Sequence, residues 1–208
     1  MTLSEYLDYQ QNDAVYAFNN NGKFPVGVLS PQHFPSCLKN NTKIEYDLRV
    51  RKNRAFIRTY DNKVEYWVHI SHLGYRESFL NFLVKHYYLD KKVITADWNA
   101  DHILNKAYAE KFGVKYVRMC LLCKDQNQSY GRKFEKNMMK MNQNKRNIFL
   151  MDFLCAMKVL GVPIPENRND YIIKKSNIVK SLEQMGVDFK GGIGEEELDE
   201  YFKWWSIL

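Results

Sequence analysis

Cysteine, proline and glycine are all scarce in this chain, at four, five and ten of 208 residues. Four cysteines at 37, 120, 123 and 155 are too few and too scattered for the disulfide framework of a small secreted domain. So little proline and glycine excludes collagen-like and mucin-like chains. No stretch approaches 18 uninterrupted apolar residues, so no membrane-spanning helix and no membrane partner are expected. The opening residues, MTLSEYLDYQQND, carry acids and lack a basic n-region and an apolar h-region, so they do not read as a signal peptide. These absences predict a reducing, cytoplasmic setting in which the four thiols stay free.

What is present suits folding. Hydrophobic residues make up 45% of the chain and aromatics 14%, enough for the core of one substantial domain, and a charged fraction of 26% argues against wholesale disorder. The net charge of +7 is unevenly placed: residues 101–146 hold eleven Lys/Arg against four Asp/Glu, a surplus of seven, so the rest of the chain is balanced. Charge concentrated in this way favours a polyphosphate, which releases counterions on contact; the alternative is a solvated basic helix face.

The periodicity predicts a helix over 3–19, then a loop around Pro25, Pro31 and Pro35. Ile44, Tyr46, Leu48 and Val50 alternate with polar residues as a half-buried strand does. Residues 54–60 and 64–70 flank Asp61-Asn62-Lys63 and read as a hairpin with Val64, Tyr66, Val68 and Ile70 on one face. Further expectations are a helix over 77–89, a short helix over 105–112 ending at Gly113, and a buried strand over 115–123. Beyond these come a basic helix over 127–142 with Phe134, Met138 and Met141 inward, an apolar helix over 147–160, and helices near 176–186 and 195–207.

The segment 98–136, WNADHILNKAYAEKFGVKYVRMCLLCKDQNQSYGRKFEK, carries the chemistry. Phosphodiester hydrolysis needs a base for water, a cation for the phosphate oxygens and a surface that holds the backbone. An unperturbed imidazole titrates near neutrality, so His102 is a candidate for the base. Asp101 and the carboxamide of Asn127 are hard oxygen donors of the kind Mg²⁺ accepts. Adjacent strand residues face opposite sides, so Asp101 and His102 converge only where a local turn redirects one of them. Lys124, Arg132, Lys133, Lys136, Lys140, Lys145 and Arg146 are candidate phosphate contacts, giving salt-dependent affinity without sequence reading.

With its Asp-His pair, Asn127 twenty-five residues past His102 and the tail LLCKDQNQSYG, this segment resembles an HNH nuclease of the ββα-metal superfamily. The resemblance covers about 40 residues and implies a metal-dependent endonuclease acting on DNA, with RNA as the alternative. His102 would be the general base, and Asp101 and Asn127 would hold Mg²⁺ or another divalent ion such as Mn²⁺. The products would carry a 5′-phosphate and a 3′-hydroxyl. The family's middle Asn falls near Arg118 in this chain. Either Asn99 or Asn105 takes that role, or Arg118 contacts phosphate as a catalytic residue, or the site is impaired and the protein binds nucleic acid or a host partner without turnover. The expected fold is α+β, with an N-terminal region with antiparallel strands at 1–92, an HNH-like ββα-metal core at 93–146 and a helical C-terminal part at 147–208.

Other features have blander readings. Cys120 and Cys123 form one CxxC without the second pair of a zinc ribbon, so core packing is favoured. His69 and His72 read as solvated histidines rather than a metal pair, and His33 and His86 lack partners at telling distances. Glu135 is read as an i,i+4 partner for a lysine rather than an acid near the metal. In EEELDEYFKWWSIL, the aromatic residues Tyr201, Phe202, Trp204 and Trp205 close the core or, alternatively, dock a protein partner.

Overall fold

The computed structural model of the chain describes residues 1–19, 24–34, 42–94, 97–131, 145–189 and 195–204. The described elements run α1 (Leu3–Asn19), β1 (Pro25–Val28), β2 (Lys43–Tyr46), β3 (Ala55–Tyr60), β4 (Lys63–His69), α2 (Tyr75–Tyr87), β5 (Trp98–His102), α3 (Lys106–Phe112) and β6 (Tyr116–Cys123). They continue with α4 (Lys124–Tyr130), β7 (Ile148–Leu150), α5 (Phe153–Leu160), α6 (Arg168–Gln184) and α7 (Glu195–Trp204). The fold is α+β.

The sheet is built around β6, the longest strand among the described residues, in the order β2-β3-β4-β6-β1-β7 with β5 also on β6, and every pairing among the described residues is antiparallel. The first half of β6 pairs with β4 (Trp67↔Arg118) and with β1 (Gly27↔Val117). Its second half pairs with β5, from Trp98↔Cys123 to His102↔Met119. At Leu121 the Gln10 side chain of α1 does the work of a strand. The Leu121 N–H donates to Gln10 Oε1 at 2.7 Å, and Gln10 Nε2 donates to the Leu121 carbonyl at 2.8 Å. Buried backbone groups need such partners, which ties α1 to the sheet.

The three segments read from the sequence share one core. Ala14, Val26, Leu104, Phe112, Val117, Leu154, Leu182 and Leu198 belong to a single buried cluster. A second cluster packs Tyr6 and the β3–β4 hairpin against α2 and against Ala100, Met119 and Leu121. On α7, Leu198 and Phe202 are buried, and Phe202 stacks on Tyr171 with ring centroids 4.1 Å apart, so these two residues close the core. Trp205 and Leu208 lie outside the described residues. No helix of the described residues is long and apolar enough to cross a membrane. Cys120, Cys123 and Cys155 form no disulfide among the described residues, and Cys37 lies outside them.

Several elements differ from expectation, each for a local reason. Pro25 opens a strand: a proline at a strand's first residue has little ladder bonding to lose, and β1 lies buried between β6 and β7. β2 stops at Tyr46 because Asp47 turns the chain, accepting from Val50 N–H through its carbonyl at 2.9 Å and from Arg49 N–H through its carboxylate at 3.1 Å. Residues 148–150 pair with β1 as a strand, and α5 starts after Asp152, which caps it by accepting from Cys155 N–H at 2.8 Å. Asn167 caps α6 in the same way, so that helix begins well before residue 176. α4 begins at Lys124, which puts Asn127 inside the helix; Phe134, Met138, Met141 and Pro35 lie outside the described residues.

Candidate active site

β5 ends on Asp101 and His102, opposite Cys120 and Met119 of β6, and α4 follows β6 without a gap. Strand, strand and helix therefore follow one another, with α3 inside the connection. Asp101 and His102 are the last two residues of β5, where the pleat ends, and their side chains meet: His102 Nδ1 stands 3.7 Å from Asp101 Oδ1. That is an electrostatic contact rather than a hydrogen bond.

A third group completes the cluster. Lys158 of α5 places Nζ 3.3 Å from Asp101 Oδ2 and donates to the His102 carbonyl at 3.1 Å. Burial disfavours the charge on Asp101, but the Lys158 ammonium, and after it the neighbouring His102, outweigh this and hold the carboxyl far below the usual carboxylate range. The His102 side chain is only 5% exposed. The Tyr75 ring covers it, with centroids 4.4 Å apart, and Nε2 has no hydrogen-bond partner among the described residues. Beside it, Arg76 donates to the Tyr75 hydroxyl at 3.4 Å, and its proton is held more firmly, first by Tyr75 and also by Asp101.

The donor set does not fit Mg²⁺ or Mn²⁺ in this arrangement. The two Asp101 oxygens face Lys158 and His102, and no hydrogen bond or ion pair among the described residues joins Asn127 to either member of the pair. No group of three or more His, Cys, Asp or Glu able to hold a metal occurs among the described residues. Lys158 already neutralises the carboxylate that would hold the ion.

Arg118 is not at this site, which corrects its catalytic assignment. Its side chain is buried on β6, donating to Asp13 Oδ2 at 2.8 Å, 3.3 Å from Glu65 Oε1 and over the Phe24 ring, 4.5 Å from the centroid. Glu65 in turn accepts from Arg58, Tyr60 and Trp67, so Arg118 belongs to a buried ionic cluster that joins α1 to β4. Asn105 caps α3, its carboxamide oxygen accepting from Ala107 and Tyr108 N–H at 2.9 and 3.1 Å. Asn99 is half-buried on β5 opposite Leu122.

Of the candidate phosphate contacts, Lys124 is exposed at the start of α4, and Lys145 and Arg146 are exposed beside the end of α3, where Arg146 N–H donates to the Phe112 carbonyl. Arg132, Lys133, Lys136 and Lys140, with Glu135, lie outside the described residues. His69 and His72 have separate serine partners, Ser71 at 2.7 Å and Ser78 at 3.1 Å, and His33 pairs with Ser30. Cys120 is buried in the core.

Two members of the cluster, Lys158 and Tyr75, are absent from the sequence-based site. Lys158 had a signal: it is the one charged residue in FLCAMKVL, a helix in which every residue is buried, and a buried ammonium requires an anion. Tyr75 had none.

No family model matches the chain, and no solved structure matches it. A stretch of 63 residues is 33% identical to phosphoglycolate phosphatases 1A and 1B, chloroplastic, of Arabidopsis thaliana. The match covers 30% of this chain and spans 17% of the length of each relative.

Proposed function

We propose that the chain is an endonuclease of HNH type that hydrolyses phosphodiester bonds of DNA, with RNA as the alternative substrate, in a cytoplasmic setting. One observation carries this reading. His102, at the end of β5 in the β5–β6–α4 succession, turns Nδ1 towards an ionised carboxylate and leaves Nε2 without a hydrogen-bond partner among the described residues. A carboxylate on one side of an imidazole favours the proton at Nδ1 and leaves the Nε2 lone pair to accept a proton from water. The 3.7 Å separation suits an unliganded site, since catalytic hydrogen bonds often shorten only when substrate binds. Lys158 keeps Asp101 ionised, and Arg76 supplies positive charge at the rim. No step is routed through a metal. Tyr75 must swing off His102 before a phosphate can approach.

A second reading is favoured by the ammonium seated on Asp101 and by the cover over His102: a nucleic-acid-binding protein that keeps the ββα unit without turnover. Plasmid nicking separates the two. Wild type nicks supercoiled plasmid and His102→Ala does not, in parallel reactions with Mg²⁺, Mn²⁺ and EDTA. Nicking that survives EDTA assigns charge stabilisation to Lys158, and loss in EDTA contradicts that assignment. Identical background nicking by both proteins, with salt-sensitive DNA retention, selects the second reading. Release of inorganic phosphate from 2-phosphoglycolate in place of nicking would overturn both and favour the likeness to the phosphatases.

A further inference from the structure

The turn between β2 and β3 reads RVRKNR (49–54), a basic run outside the segment where the chain's surplus charge lies. It faces the start of α2 across a cleft of about 470 Å³ lined by Asp47, Arg49, Arg51, Arg54, His72, Leu73, Glu77, Ser78 and Asn81, among others. Both acids of the lining are already neutralised. Asp47 takes a two-pronged contact from Arg49, at 2.8 Å for each prong, and Glu77 pairs with Lys91. Arg51 and Arg54 have no acidic partner among the described residues; Arg54 donates only to the Ser71 carbonyl, at 3.3 Å. Two guanidinium groups thus stand uncompensated in a cavity whose remaining polar lining, His72, Ser78 and Asn81, carries no negative charge. The field they create is felt by the neighbours: after burial, the charge of Arg54 is the next cause that lowers the proton affinity of both His69 and His72.

The cleft adjoins the candidate active site. Residues 72–78 border both, with His72, Gly74 and Ser78 on the cleft and Tyr75 over His102. The charge of His102 also reaches His72. No Phe, Tyr or Trp among the described residues lines the cleft, and these contribute no stacking platform of the kind that single strands use. Guanidinium forks suit phosphate oxygens, and contacts to phosphate alone hold a duplex in place without reading its bases.

We infer that Arg51 and Arg54 grip the phosphate backbone of a nucleic-acid duplex in this cleft and present it to the Asp101–His102 site. This rests on the reading of the substrate as a polynucleotide, and it adds a grip that lies outside the basic 101–146 segment. The test is binding of a labelled DNA duplex and of its single strand by the full chain across a salt series. Replacing both arginines, R51A/R54A, lowers the slope of log affinity against log salt for the duplex by about 2. R51K/R54K restores most of it, because charge is kept. A thermal melt controls for folding; should R51A/R54A melt early, the exposed Arg51→Ala alone lowers the slope by about 1. Unchanged slope and affinity in R51A/R54A overturn the inference, and nicking by wild type in that case leaves the endonuclease reading standing. Slope loss without any nicking by wild type supports the cleft and removes the endonuclease. Equal arginine dependence for duplex and single strand overturns the duplex assignment, and no duplex binding at all overturns the inference entirely.

Discussion

Lys158 is the residue on which the candidate site turns. Its ammonium touches Asp101 and the His102 carbonyl from inside an otherwise apolar helix. Removing one partner of a buried pair strands the other, so Lys158→Met is expected to cost about 3–5 kcal/mol in urea denaturation. Asp101→Asn in that background should recover part of it, because the stranded charge is gone; a double-mutant cycle measures the coupling. The pH dependence has a definite sign. The Asp101 carboxyl is lowered in the folded protein from an ordinary value of 3.8, so its contribution is fully present above that pH and is lost as pH falls through the lower folded value. The stability difference between wild type and Asp101→Asn should therefore be largest near neutrality and shrink below about pH 4, read from urea midpoints at several pH values. A difference that grows on acidification would contradict the ion pair.

At the scale of elements, α1 is fastened to the sheet by polar contacts more than by an apolar stripe. Gln10 satisfies both backbone groups of Leu121, and Asp13 meets Arg118 and Lys63. Gln10→Leu leaves two buried backbone groups without partners, and a loss of about 2–4 kcal/mol is expected in urea denaturation. Arg118→Met leaves Asp13 and Glu65 short of positive charge in a buried place, with an expected loss of about 3–5 kcal/mol. Because the Arg118 side chain meets Asp13 and Glu65 rather than the His102 ring, any nicking by the Arg118→Met protein that remains folded should match wild type. A selective loss of nicking at full stability would return Arg118 to the site.

For the whole molecule, the charge distribution sets the expectation. A protein of net charge +7 with a basic segment at 101–146 and an arginine cleft at 49–54 should bind DNA in a strongly salt-dependent way. With six or more phosphate contacts, affinity should fall about a thousandfold or more between 50 and 200 mM salt, measured by fluorescence anisotropy. Affinity that ignores salt would place binding on some other footing.

The sequence by itself determined the elements whose signals are local. The hairpin around Asp61-Asn62, the α3 helix between the Asn105 cap and Gly113 at φ +81, and the strand ending at Cys123 all follow from turn chemistry and periodicity within a dozen residues. It also brought forward Asp101 and His102, because neighbours in sequence are neighbours in space. Only the tertiary structure decided what surrounds them. Lys158 arrives from 56 residues beyond His102 and Tyr75 from an earlier helix, while Arg118 faces Asp13, 105 residues before it. Side-chain partnerships across such distances depend on how whole elements pack, and no local pattern encodes them. Strands β1 and β7 were illegible for the same reason: a short apolar run becomes a strand when another strand's open backbone groups lie beside it.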